Sequence, residues 1–152
     1  MRCVACGKQM VSGTEREVRS VAGHTFVADM PANICGCGES VIDYAPLHRF
    51  NLAIAGKLAE LGASSGEAFK FMRKAIGMKA ADLAALLHVV PETVSRWETG
   101  QRNVDYGAMV VLGAIALDQL EGRTRTLDLL RALREPAKAT GEVLVQLDVQ
   151  AA

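Results

Sequence analysis

Apolar residues recur every three or four positions through most of the chain, and each change in that rhythm predicts an element boundary. Leu47, Phe50, Ile54, Leu58 and Leu61 fall on one helical face from Pro46 onward, and Gly62 ends the run. Ala63-Ser64-Ser65-Gly66 then reads as a short turn or hinge. Phe69, Met72 and Ile76 mark a helix stopped by Gly77; Leu83, Leu86 and Leu87 mark the next. Val94 and Trp97 mark a third, opened by Pro91 and closed by Gly100. A fourth runs from about Tyr106 to Leu120, and Leu127, Leu130 and Leu133 give a fifth before Pro136. Ahead of these helices the period is two: Glu17 to Val21 and His24 to Val27 alternate, predicting short strands and turns. Alternation returns at Gly141 to Val149, a candidate strand that must join the N-terminal sheet, pair with a second chain or remain unpaired.

The reading is therefore α+β. A small, β-rich N-terminal domain with its linker helix occupies residues 1–62, and an all-helical domain of about five helices occupies 67–135. A C-terminal tail with the candidate strand fills 136–152. Half of the 152 residues are hydrophobic, which argues for a globular chain, and only 5 % are aromatic, which argues against a β-sandwich built on large side chains. No apolar run approaches the roughly 18 residues a membrane span needs, and the chain opens Met1-Arg2-Cys3 rather than with a signal peptide's apolar core, so a cytoplasmic protein without a membrane partner is expected.

In a reducing compartment the four cysteines are expected to ligate metal, with two disulfides as the alternative. Cys3 and Cys6 form a CxxC pair; Cys35 and Cys37 form a CxC pair. Four thiolates satisfy tetrahedral zinc and leave no position for a reactive water, so one structural Zn2+ per chain is expected. Glycines 7, 36 and 38 suit tight turns whose amides point at sulfur, and His24 is the rival ligand. No catalytic constellation accompanies them. His24, His48 and His88 are dispersed, no phosphate-cradling glycine motif is evident, and an enzyme is not expected.

Lys plus Arg balance Asp plus Glu at 17 each, but the balance is uneven. Residues 67–104 hold Lys70, Arg73, Lys74, Lys79, Arg96 and Arg102 against Glu67, Asp82, Glu92 and Glu98, an excess of two positive charges, and the remainder is correspondingly negative. Within this stretch MKAADLAALLHVVPETVSRWETG (78–100) places Leu83, Ala84 and Leu87 inward, Val89 in the turn, and Val94 with Trp97 behind the last helix. Pro91, Glu92, Thr93, Ser95 and Arg96 then face outward.

That segment, above all ETVSRWETG at 92–100, resembles the Xre-like helix-turn-helix family. Together with the cysteine pairs, residues 1 to about 120 are similar to the MqsA-type antitoxins and their relatives. The resemblance implies a dimeric repressor on double-stranded DNA with an inverted-repeat operator. For the antitoxin members it also implies a small mRNA-cleaving toxin held by the zinc domain. The chain departs from the family pattern at named places: Ile34 stands where a cysteine is expected and the thiol is at Cys35. Lys79, Ala80, His88 and Val90 replace the usual threonine, glutamine, glycine and capping residue.

On this reading Arg96 donates to a guanine edge, Thr93 meets a thymine methyl or a hydrogen-bonding group, and Glu92 accepts from cytosine. Ser95, Arg102, Lys70, Lys74 and Lys79 are assigned to phosphates. Arg96 paired with Glu92 on the helix surface is the competing assignment. Tyr106, Met109, Val110, Leu112 and Leu117, with Gly107 and Gly113, either form a homodimer contact or complete the helical core.

Overall fold

The computed structural model describes residues 1–139 and 141–147. Strands β1 (Val11–Val21) and β2 (His24–Ile34) form a long antiparallel hairpin, and β3 (Ser40–Val41) adds a short third strand beside β2. The strands extend well beyond the alternating runs that announce them. Register pairs Val11 with Ile34 and Val21 with His24, carrying the hairpin from its two-residue turn back to the cysteines. Pro31 is tolerated in β2 because β3 reaches only Asn33 and Ile34, leaving the other side of β2 open at the proline. The turn itself, Ala22-Gly23, has positive φ at both residues, as a tight hairpin with native twist requires.

Six helices follow: α1 (Tyr44–Glu60), α2 (Gly66–Ala75), α3 (Ala80–Leu86), α4 (Pro91–Glu98), α5 (Tyr106–Leu120) and α6 (Arg125–Arg134). The fold class is thus α+β with a helical helix-turn-helix region. Phe69, Ile54, Leu58, Met72, Leu83, Leu112, Ile115 and Val94 are its largest fully buried side chains.

The linker helix is not peripheral to this core. Leu52, Ile54, Ala55 and Leu58 of α1 are buried in the same cluster as Phe69 and Leu112, and Val21 at the hairpin tip joins them. Arg19 extends the tie by donating to Asn51 Oδ1 at 2.7 Å. Sequence periodicity identifies an apolar face but not its partner, and here α5 is the partner. Gly113 permits that crossing because a Cβ there would overlap the Ala59 side chain. Of the other α5 residues weighed for a dimer contact, Met109 and Leu112 are core, whereas Tyr106, Val110 and Leu117 remain exposed.

The short turn or hinge expected at 63–66 is a short connection, tied down where α2 begins. Ser65 caps α2, accepting from the Ala68 amide at 3.2 Å. A Cβ on Gly66 would overlap the Trp97 carbonyl, so α2 starts directly beneath the end of α4. The candidate C-terminal strand is not formed among the described residues: 142–147 pair with nothing and are exposed, and Val149 lies outside the described residues.

The starts of α3 and α4 and the turn between them are weakly held. Neither Lys79 before α3 nor Val90 before α4 makes a side-chain cap, and His88 holds φ +54°, a conformation suited to glycine. Because His88 is exposed, little packing offsets that strain. His88→Gly is expected to raise stability by about 0.5–1 kcal/mol, the strain relieved exceeding glycine's extra unfolded-state entropy. Urea denaturation checks this, and an unchanged or lowered midpoint would contradict it.

Candidate metal centre and nucleic-acid interface

The four cysteines converge from two matched turns. At the first, Gly7 N–H donates to Cys3 O at 2.9 Å and Cys3 N–H to Lys8 O at 2.8 Å. At the second, Gly38 N–H donates to Cys35 O at 3.0 Å and Cys35 N–H to Glu39 O at 2.8 Å. Gly7 and Gly38 occupy the same place in each turn, at φ +70° and +98°. The CxC half, one residue shorter, still presents both sulfurs.

All four thiols are free and all four Sγ atoms lie within 4.8 Å of one another, with Cys3–Cys37 at 3.6 Å and Cys6–Cys35 at 3.4 Å. Ligation at about 2.3 Å places tetrahedral sulfurs about 3.8 Å apart, so the cluster fits one ion and does not form the alternative disulfides. His24, the rival ligand, begins β2 at the hairpin's far end, about 36 Å of extended chain from Cys35.

Backbone amides aim at the sulfurs. The Cys6 amide, then the Ala5 amide, bring the Cys3 thiol down to about 7 against the opposing effect of burial. The other three are pushed up. For Cys6 the Lys8 amide favours the thiolate but is outweighed by Cys37, burial and Cys3. For Cys35 the Cys37 amide is outweighed by Cys6, burial and Cys3; for Cys37 the Glu39 amide is outweighed by Cys35, Cys3 and burial. Four thiolates this close repel one another, and a cation at their centre removes the repulsion. A small apolar cluster of Cys3, Met10 and Cys35, with Val41 against it, is all that backs the site.

In the helical region, α3 and α4 are joined by a tight turn in which Val89 N–H donates to Ala84 O at 3.0 Å. Val94 and Trp97 are buried, and Trp97 meets Phe69 edge-on with centroids 5.4 Å apart. With the back of α4 so fixed, Glu92, Ser95 and Arg96 lie exposed on its other side. Thr93 is half-buried and lines a depression with Leu87, Val89, Trp97 and Arg102. Arg96 makes no ion pair with Glu92 among the described residues. Lys70 and Lys74 are exposed one turn apart on α2, Lys79 is exposed at the start of α3, and Arg102 is exposed just past α4.

Arg73 alone of the cations in this stretch is withdrawn from the surface. Its Nε and Nη2 donate to the two carboxylate oxygens of Glu98 at 2.5 and 3.2 Å, and Nη1 donates to Met78 O at 2.9 Å. The pair joins α2 to the last turn of α4. The sequence shows both only as members of a charge balance, since their 25-residue separation carries no helical signal. Removing this pair leaves Lys70, Lys74, Lys79, Arg96 and Arg102 against Glu67, Asp82 and Glu92, so the excess of two positive charges persists.

Among the described residues no helix is long and apolar enough to cross a membrane. No curated protein matches the chain. A helix-turn-helix family model matches residues 69–111, from within α2 to the first part of α5, which supports a DNA-binding regulator. Residues 69–111 form an Xre-like helix-turn-helix domain, joined to an N-terminal four-cysteine cluster suited to a metal ion.

Proposed function

We propose that this protein is a sequence-specific, non-enzymatic transcriptional regulator, a cytoplasmic homodimeric repressor that reads an inverted repeat with α4 and carries a structural zinc in its N-terminal module. The single observation that carries the reading is α4, clamped from behind by Val94 and Trp97 with Glu92, Ser95 and Arg96 exposed in front. Arg96 and Glu92, with Thr93 at the edge, contact base edges; Lys70, Lys74, Lys79, Ser95 and Arg102 meet phosphate oxygens. One module buries too little DNA for strong selectivity, and two copies on half-sites a helical turn or more apart supply the rest. Exposed Tyr106, Val110 and Leu117 on α5 provide apolar surface for the homodimer. Cys3, Cys6, Cys35 and Cys37 hold zinc with a complete set of protein ligands, so the ion supplies folding energy rather than chemistry.

The test is selection of bound fragments from the source genome, followed by titration of the best site. Arg96→Ala is expected to weaken specific binding by about 1–3 kcal/mol while relaxing preference at one base pair. Lys79→Ala or Arg102→Ala is expected to weaken all sequences alike and to reduce the salt slope by about 1. No selective complex, or one indifferent to Arg96→Ala, removes this mode of recognition.

A second reading, an antitoxin whose N-terminal module also neutralises a small mRNA-cleaving toxin, draws support from the outer hairpin surface. Val18 and Val27, cross-strand neighbours, are exposed there, on elements separate from α4. A small neighbouring gene whose product arrests growth, with relief by the full chain, would favour it; a neighbour without toxicity would favour the stand-alone regulator.

A further inference from the structure

Among the described residues two apolar features lack a partner, a groove and an extended segment. The first is a groove of about 550 Å³ between α1 and α5, floored by Ala59, Ala63 and Gly113 and walled by Met109, Val110 and Leu117. Tyr106 and Val110 on its rim are 76 % and 68 % exposed. The sole charged residue lining it is Glu60, which is already engaged by Lys57 at 2.7 Å. The second is the segment Val143–Leu147, uncharged throughout, in which Val143, Leu144, Val145 and Leu147 are each between 71 % and 87 % exposed. Four large apolar side chains in five residues favour burial in a predominantly apolar groove over exposure to water.

We propose that Val143–Leu147 of one copy docks in the α1–α5 groove of a second copy, reciprocally, closing the dimer. This deepens, and rests on, the dimeric reading above. Chain path favours the second copy over the chain's own groove. Arg131 and Arg134 at the far end of α6 line a depression with Met78, Asp82 and Leu86, so the tail departs on the α3 flank. α5 packs between α6 and α1, and the groove opens on the α1 side. Only residues 135–142 are available to round the domain, about 28 Å when fully extended. A partner related by two-fold symmetry can offer its groove to the departing tail, and each groove then receives one tail.

The experiment uses the full chain with Val145→benzoylphenylalanine, mixed from equal amounts of 14N- and 15N-labelled protein, cross-linked by light and mapped by mass spectrometry. Expected are mixed-isotope cross-links from position 145 to residues 57–63 or 106–117. Cross-links confined to single-isotope pairs of the same chain, to β1, or absent from both groove segments overturn the proposal. In parallel, sedimentation compares the full chain with one ending at Glu142. The truncation is expected to weaken dimerisation roughly 10- to 100-fold with helical content unchanged. An unchanged dimer constant overturns tail docking and leaves the dimeric reading standing, whereas a full chain that is monomeric throughout removes that reading and the proposal with it.

Discussion

Cys35→Ser is expected to abolish stoichiometric zinc binding and to unravel residues 1–10 and 34–41 while the helical domain stays folded. The apolar cluster behind the site comprises Cys3, Met10 and Cys35, with Val41 half-buried against it, and Cys3 and Cys35 are themselves ligands. So few side chains cannot offset the conformational entropy of two turns and a short strand, at about 1–2 kcal/mol per residue. Metal must supply the difference, and structural zinc in small modules contributes about 10–16 kcal/mol near neutral pH. The effect should be local. Val21 is buried in the helical core and Arg19 bonds to Asn51, so the hairpin tip keeps its anchor when the cysteine end opens.

Metal analysis of the wild type should give about one zinc per chain, and binding should release protons, because three of the four thiols sit above their ordinary range without a cation. Acid should therefore displace the ion. Hydrogen exchange checks the locality: fast exchange at both cysteine turns with slow exchange in α1 and α5 is the expected pattern. Full protection of the turns in a strong chelator would show that the fold does not depend on metal.

Glu98→Ala should cost about 3–5 kcal/mol, far beyond an ordinary surface pair, because it strands a guanidinium that is largely out of water. The Arg73 and Glu98 side chains are only 11 % and 10 % exposed, and the mutation leaves Arg73 with the Met78 carbonyl alone. Glu98 also stands at the carboxyl end of α4, where the helix dipole disfavours an anion, so the arginine offsets two penalties together. Replacing both residues with apolar ones of similar size, Arg73→Met with Glu98→Leu, should cost much less than the single change. Because the pair ties α2 to α4, loss of DNA affinity should accompany loss of stability in the single variant. Urea unfolding of Arg73→Met, Glu98→Leu and the two combined measures the coupling, and a Glu98→Ala cost below about 1 kcal/mol would mean that the ion pair is solvated in solution.

Local physics made much of the chain legible. The span of α5 follows from its apolar run and the capping Asp105, whose carboxylate accepts from the Ala108 amide at 2.8 Å. Pro91 opens α4 as expected for a residue that needs no amide partner in a first turn. The cysteines were legible through their spacing, because a ligand turn is a short-range object. Reading failed where a long-range partner decided. The strands run past their alternating segments because the hairpin register, not local propensity, sets their length. The turn or hinge read at 63–66 gives no sign of the cap Ser65 supplies, since nothing nearby shows that Gly66 must fit beneath Trp97.

From residue order alone came the two kinds of secondary structure, the grouping of four cysteines as one candidate metal site, and a helix at the end of the 78–100 segment with Trp97 on its inner side. Each depends on periodicity or on neighbours a few positions apart. Folding in three dimensions decided that α1 shares a core with the helices beyond Gly62, that Arg73 and Glu98 leave the surface together, and that Val143–Leu147 finds no place in the sheet. Those outcomes depend on which faces meet, and hydrophobic patterning specifies that a face will be buried without specifying against what.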